Sequence, residues 1–306
     1  MKRFLGPLLI LLCTVIWGSA FSAQVTADEH YGPFALTCYR NLLAALFLAA
    51  VIFLRGRTSF RSSSGKRTHR AELVGGCASG VVLFTAMVSQ QLGISCHATP
   101  GESAFLTANY VLIVPLLAWI VGRGRPGWSV WTGVVLSLAG TYLLMAGKGD
   151  GGVSFAFGPG EFWTLLCALL FAVQIMVVDR FAPNCDVLVF SMVQMFVASV
   201  CAAPFIALPS ESALLSFAHF KAGWLSLFYV GVMSSGIAYT LQNLGQAYTP
   251  PALAAIVMSM ESVFGALFGW LLLGSTMSPA QIAGCALVFT AVILSQLTSM
   301  KKPQKA

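Results

Sequence analysis

Charge is what this chain lacks. Only 9% of its 306 residues are charged and 58% are hydrophobic, whereas a soluble domain carries roughly a quarter charged residues. A soluble core of this size could not hide so much apolar surface, and a bilayer requires it exposed. A soluble fold is therefore excluded. Eight cysteines stand singly, without a Cys-x-x-Cys, and most fall inside apolar runs. That pattern excludes a zinc or disulfide framework and reads as small packing residues. His30, His69, His97 and His219 lie in loops or at their edges, so no buried histidine base or metal cluster is expected. Asp28, Asp150, Asp179 and Asp186 all sit at the ends of apolar runs, which excludes a membrane protease built on two intramembrane aspartates. The stretch Gly147-Lys148-Gly149-Asp150-Gly151-Gly152 has neither the spacing of a phosphate loop nor a strand before it. Without a nucleotide site, a primary pump is excluded too. These absences predict a protein that is not an enzyme and takes no cofactor or metal.

What is present is a series of apolar runs of about 20 residues, the length that crosses a bilayer as a helix. Ten are predicted, at approximately 4–24, 33–54, 72–94, 99–121, 128–146, 160–178, 187–208, 222–244, 251–273 and 279–298. Pro33, Pro100, Pro126, Pro251 and Pro279 fall at their starts, where a missing backbone N–H costs nothing. The first run, after Met1-Lys2-Arg3, resembles a signal peptide with small residues at Gly18, Ala20 and Ser22. It is long for a signal sequence and has an internal counterpart, so it is read as a retained helix.

The net charge of +7 is an address rather than a nucleic-acid footprint. With the N-terminus inside, fourteen Lys and Arg fall on the inner side and only Lys148 and Lys221 on the outer. That bias predicts a multi-pass protein of the cell membrane, the bacterial inner membrane, with both termini cytoplasmic. The expected partners are the lipid bilayer and a small-molecule solute, not nucleic acid; monomer and homodimer stay open. The basic loop 55–71 either touches anionic headgroups or is merely solvated.

The chain also repeats itself. Gln90-Gln91-Leu92-Gly93 returns as Gln242-Asn243-Leu244-Gly245, and at the same offset Asn109 falls on Glu261 and Gly122 on Gly274. Upstream, with the offset slipped by two, Leu11-Leu12-Cys13 falls on Leu165-Leu166-Cys167. Five runs per copy is an odd number, so the second copy starts from the opposite side of the membrane. The expected fold is an all-α polytopic membrane protein, ten transmembrane helices as two inverted five-helix repeats, an arrangement typical of secondary transporters. The first repeat spans 1–146, a linker 147–160, the inverted second repeat 161–300, and a basic tail 301–306.

Polar residues inside the runs are the candidates for chemistry, because each is costly there unless paired or facing water. Glu261 lies close to the midplane, as a solute contact, a proton-coupling group, or a hydrogen-bonded tie between helices. Glu102 and Asn109 share one face of run four, lining a cavity or gluing helices. Arg40 is better placed for a structural ion pair with Glu102 than for ligand binding. Of the adjacent amides Gln90 and Gln91, and of Gln242 and Asn243, at most one of each pair can face a cavity, since neighbours on a helix diverge by about 100°. Trp17, Tyr110, Gln174, Tyr239 and Ser259 add further cavity contacts. Trp119, Trp128, Trp131, Trp163 and Trp224 are interfacial anchors. Pro115 is a hinge or a static kink, and Gly75, Gly76, Ser79 and Gly80 permit close helix approach.

The run Gln90-Gln91-Leu92-Gly93-Ile94, with Ala98-Thr99, Ser103-Ala104-Phe105-Leu106-Thr107 and Val114-Pro115-Leu116-Leu117, resembles the EamA-type drug/metabolite transporters. Trp17-Gly18-Ser19-Ala20-Phe21, Arg40-Asn41-Leu42-Leu43-Ala44, Ser259-Met260-Glu261 and Leu273-Gly274 extend the resemblance over both halves. It implies ten helices in two inverted repeats around a central cavity lined by helices one, three, four, six, eight and nine. It also implies transport of amino acids, other metabolites or drugs, often outward. The chain departs from the family pattern at Arg123 and Ser275, where Glu is common, and at Ser262, where Pro is common.

Overall fold

The computed structural model describes residues 2–28, 30–56, 69–96, 106–146, 158–212, 217–273 and 278–301. Among these residues the chain is helical, with no strand. Ten helices carry the fold: α1 (Lys2–Asp28), α2 (Pro33–Arg55), α3 (Ala71–Ser95), α4 (Tyr110–Ile120), α5 (Trp128–Ala146), α6 (Pro159–Phe181), α7 (Val187–Ala202), α8 (His219–Gln246), α9 (Pro251–Met258 and Met260–Leu273) and α10 (Pro279–Lys301). Six helical stretches, those at α2, α3, α6, α7, α8 and α9, are long and apolar enough to cross a membrane, and four shorter apolar ones accompany them. This is a membrane protein.

Three helices depart from regular α geometry. α3 opens with a π-helical turn, Ala71–Gly75, and α8 widens into a longer π segment, Tyr229–Ala238. α9 yields at Ser259, whose hydroxyl bonds back to the Ile256 carbonyl at 2.6 Å while Ser262 Oγ bonds the Ser259 carbonyl at 2.7 Å. Serine hydroxyls compete in this way with the helical ladder. α4 starts beyond a similar irregularity, where Asn109 Nδ2 donates to the Leu106 carbonyl at 3.0 Å. The uninterrupted span expected at 251–273 is thus two pieces.

The principal pairings join the first five helices to the last five: α3 with α6, α1 with α8, α2 with α7, α3 with α7, α2 with α8, α4 with α6, α1 with α9, α4 with α9 and α5 with α10. Exchanging the first helix for the sixth, the second for the seventh and so on maps this set onto itself. Glycine carries the closest crossings. A Cβ on Gly93 would meet the Thr164 hydroxyl, and one on Gly245 would lie 2.5 Å from Ile10 Cγ1 and 2.8 Å from the Gly6 carbonyl oxygen. On the α5–α10 pair, Gly140 and Gly284 face each other's carbonyl oxygens at 2.7 and 2.6 Å from the added carbon.

Buried carboxylates fasten the helix ends. Glu72 accepts the Asp186 backbone N–H at 3.0 Å, and Asp186 caps α7 by accepting from Leu188 N at 3.1 Å. Arg55 grips Asp186 through both terminal nitrogens, at 3.3 and 2.5 Å. Glu211 accepts from Phe34 N and Ala35 N, at 3.3 and 2.8 Å, at the start of α2. Carboxylates suit these positions because unsatisfied N–H groups and the helix dipole converge there. Each glutamate reaches from one half to the second helix of the other. Beyond α4, Gly122 and Gly124 adopt φ of +81° and +91°, turning Arg123 onto Asp179 of α6 as an ion pair.

Crossing glycines should be intolerant where the obstacle is backbone. Gly245→Ala and Gly284→Ala should each destabilise the detergent-solubilised protein by about 1–3 kcal/mol, the usual cost of overpacking. Gly265→Ala, with nothing nearer than a carbonyl oxygen at 3.9 Å, should melt like the parent. Equal melting temperatures for all three would contradict the crossing geometry.

Candidate functional site

A cavity opens where the two sets of helices meet. α1 contributes Trp17, Ala20 and Gln24, and α3 contributes Gln90. Thr107 and Tyr110 come from the start of α4, and Phe171, Gln174 and Ile175 from α6. α8 adds Ser234, Tyr239 and Gln242, and α9 adds Met258 and Glu261. Arg40 of α2 completes the wall. Seven of the nine cavity residues expected from the sequence meet here, together with Arg40. Asn109 is not among them: its amide turns back on its own helix. Glu102, and with it the expected pairing to Arg40, lies outside the described residues.

The aromatic wall is held by its polar edges. Trp17 Nε1 donates to the Ser234 carbonyl at 3.2 Å, and its ring meets Tyr239 edge-on with centroids 4.8 Å apart. An edge-to-face pair of this kind favours fixed ring positions. Gln24 Nε2 reaches Gln90 Oε1 at 3.4 Å, joining α1 to α3 along one rim.

A relay of amides forms another part of the wall, and its polarity follows from its last member. The Ile175 carbonyl can only accept, so Gln246 presents its NH₂ to it, at 3.3 Å, and its oxygen to Gln242. Gln242 Nε2 therefore donates both to Gln246 Oε1 at 3.1 Å and to Gln174 Oε1 at 3.2 Å. Gln242 Oε1 and Gln174 Nε2 have no protein partner among the described residues. Both atoms are buried, in residues that line the cavity, so one acceptor and one donor are left in need of a polar partner.

The neighbouring amides face away. Asn243 donates to Ser191 Oγ at 2.9 Å and to Gln194 Oε1 at 2.8 Å, tying α8 to α7. Gln91 is buried and absent from the cavity lining.

One carboxyl and one guanidinium group line the cavity. Glu261 is the second residue of the second piece of α9, just past the break at Ser259, and is half-buried. Among the described residues it makes no hydrogen bond and no ion pair. Arg40 is 4% exposed and donates Nε to Ser235 Oγ at 2.9 Å and Nη2 to Ser234 Oγ at 3.4 Å. Among the described residues, no group of three or more His, Cys, Asp or Glu side chains is arranged to hold a metal ion.

The profile of the EamA-like transporter family matches residues 4–146 and 158–297. The chain belongs to that family. An "uncharacterized transporter" of Archaeoglobus fulgidus is 27% identical over 97% of this chain and 87% of its own. An "uncharacterized inner membrane transporter" of Salmonella typhimurium is 24% identical over 98% of each chain. A solved crystal structure superposes with a TM-score of 0.72 at 21% identity, covering 95% of this chain and 99% of the other, and shows the same fold. The protein is a membrane transporter, and its family is one of transporters rather than enzymes.

In this EamA-like transporter, sequence reasoning missed Ala20, Gln24, Thr107, Phe171, Ile175, Ser234 and Met258 of the lining. Gln24 carried a signal, an amide near the end of an apolar run. Ser234 carried none, because its contact with Arg40 depends on the π segment of α8.

The divided amides make a direct prediction. Asn243→Ala strands Ser191 and Gln194 in the interior and should destabilise by about 1–3 kcal/mol. Gln242→Ala opens a gap beside the cavity and should impair transport more than it lowers the melting temperature. Melting curves and flux measured on both proteins check this, and an Asn243→Ala protein that melts like the parent would refute the assignment.

Proposed function

We propose that the protein is a proton-coupled secondary transporter that exports a small metabolite, amino acid or drug by alternating access. The carrying observation is Glu261, a carboxyl that lines the cavity and has no hydrogen-bond or ion-pair partner among the described residues. A charge in such a place is costly unless something balances it, so the residue suits alternate occupation by a proton and by solute. The ten helices are all transmembrane, and residues 1–146 and 161–300 are inverted repeats joined by 147–160. Support comes from the two family-matched stretches and from helix pairings that survive the exchange of one half for the other. The halves rock about the cavity, the amides Gln90 and Gln242 serving its two mouths. Both termini, with the tail 301–306, are cytoplasmic, and the membrane is the bacterial inner membrane, in line with the Salmonella relative. Outward flux is the direction that the family resemblance implies.

In proteoliposomes, a metabolite and drug panel with and without an imposed proton gradient should reveal a solute whose flux the gradient drives. Glu261→Gln should abolish or uncouple that flux while the protein elutes and melts as before. Normal pH-driven flux by this variant would remove the coupling role. Reporter domains fused to either terminus should be active only in the cytoplasm; activity outside would overturn the proposed orientation.

A further inference from the structure

We propose that Arg40 determines specificity by holding a negatively charged group of the solute, so that the transported molecule bears a carboxylate or a comparable single negative charge. The inference rests on reading the cavity as the solute site. It starts from how the guanidinium is placed. Gly231 and Gly236, in the π segment of α8, let that helix lie directly on α2: a Cβ on Gly231 would stand 2.8 Å from Leu43 Cδ2 and 3.2 Å from the Arg40 carbonyl oxygen, and one on Gly236 would stand 3.0 Å from Phe47 Cδ1. This contact brings Ser234 and Ser235 under the guanidinium, and π segments of this sort recur at functional sites.

The two hydroxyls orient Arg40 but do not neutralise it. A guanidinium has five N–H donors, and two are engaged here by uncharged partners. At 4% exposure it lacks bulk water, and among the described residues no carboxylate pairs with it. Removing an ion from water costs several kcal/mol unless a counter-charge answers it. The other charged group of the lining is Glu261, and the two side chains form no ion pair. Arginine stays protonated in proteins, whereas a carboxyl group can take up a proton. The cavity wall therefore carries a net charge of zero or plus one, and a solute with one negative group balances the second case. Multiply charged anions are not matched, and neither are solutes with only positive charge.

Matched pairs of solutes test this on the full-length protein in proteoliposomes: benzoate against benzamide, lactate against lactamide, phenylalanine against phenylalaninamide, alongside the broader panel above. Transported solutes should be the carboxylates. Arg40→Lys keeps the charge and loses the planar fork, so KM for a carboxylate should rise about 10-fold. Arg40→Gln should raise it about 100-fold or abolish carboxylate uptake. Should Arg40→Gln fail to fold, the Arg40→Lys shift in KM decides alone. Wild-type flux confined to neutral or cationic solutes would overturn the proposal, as would an unchanged carboxylate KM in Arg40→Lys. Restoration of carboxylate flux by the swap Arg40→Glu with Glu102→Arg would also overturn it, in favour of an ion pair inside the chain. No flux of any solute by the wild type would overturn the transporter reading first, and this one with it.

Discussion

Two glycine crossings set the shape of everything between them. Where α3 ends, Gly93 lies on the start of α6; where α8 ends, Gly245 lies on the start of α1 beside Gly6. In an apolar solvent helices gain nothing from hiding hydrophobic surface from one another, so association relies on close packing and on polar contacts. Bringing backbone to backbone at one end of each pair forces the helices apart at the other. The cavity occupies the resulting space, lined by α1, α3, α6 and α8 together with α4 and α9. In the inverted arrangement proposed here the two crossings lie at opposite faces, and loosening one while tightening the other interchanges the mouths.

Charge follows the same division between ends and middle. Near the helix ends each buried carboxylate is answered: Asp186 by Arg55, Glu72 by the Asp186 N–H and by His69 at 3.0 Å, Glu211 by the first N–H groups of α2, Asp179 by Arg123. These contacts tie one half to the other and leave little to exchange. In the middle, Glu261 and Arg40 line one cavity without meeting. Matched groups stabilise a single arrangement. Groups whose match must come from outside leave the protein able to respond to what enters.

Much of this was legible in the sequence. Helix positions could be read because twenty apolar residues admit one structure in lipid. Glu261 and Gln90 stood out because a polar residue in an apolar run is expensive and so has a reason to be there. The repeat assigned Gln242 the matching place in the second half. The capping roles of Glu72 and Glu211 were not legible, because a glutamate at or beyond the edge of a run looks like any solvated loop residue. Their partners are backbone N–H groups more than a hundred residues away. The π segment of α8 was equally silent, since it changes the helical period without changing composition. With it went the contact of Ser234 and Ser235 with Arg40. The chain's departure from its family at Arg123 became intelligible only once the turn Gly122–Gly124 had placed that residue against Asp179.

In the inverted repeat proposed here, irregularities of α4 and α9 fall within two residues of matching positions. At each a polar side chain bonds back to a carbonyl three residues earlier: Asn109 to Leu106, Ser259 to Ile256. In the first half the residue at the repeat position is Asn109, which turns its amide onto its own helix and does not line the cavity. In the second half it is Glu261, which lines the cavity. An amide turned onto its own backbone stands away from the cavity, whereas a carboxyl in the lining, with no partner among the described residues, has both a charge and a proton-binding site. Two equivalent halves would bind symmetrically and give a driving ion no fixed place. In the function proposed above, one carboxyl at one of two matching positions supplies that place while leaving the pairing pattern of the halves intact.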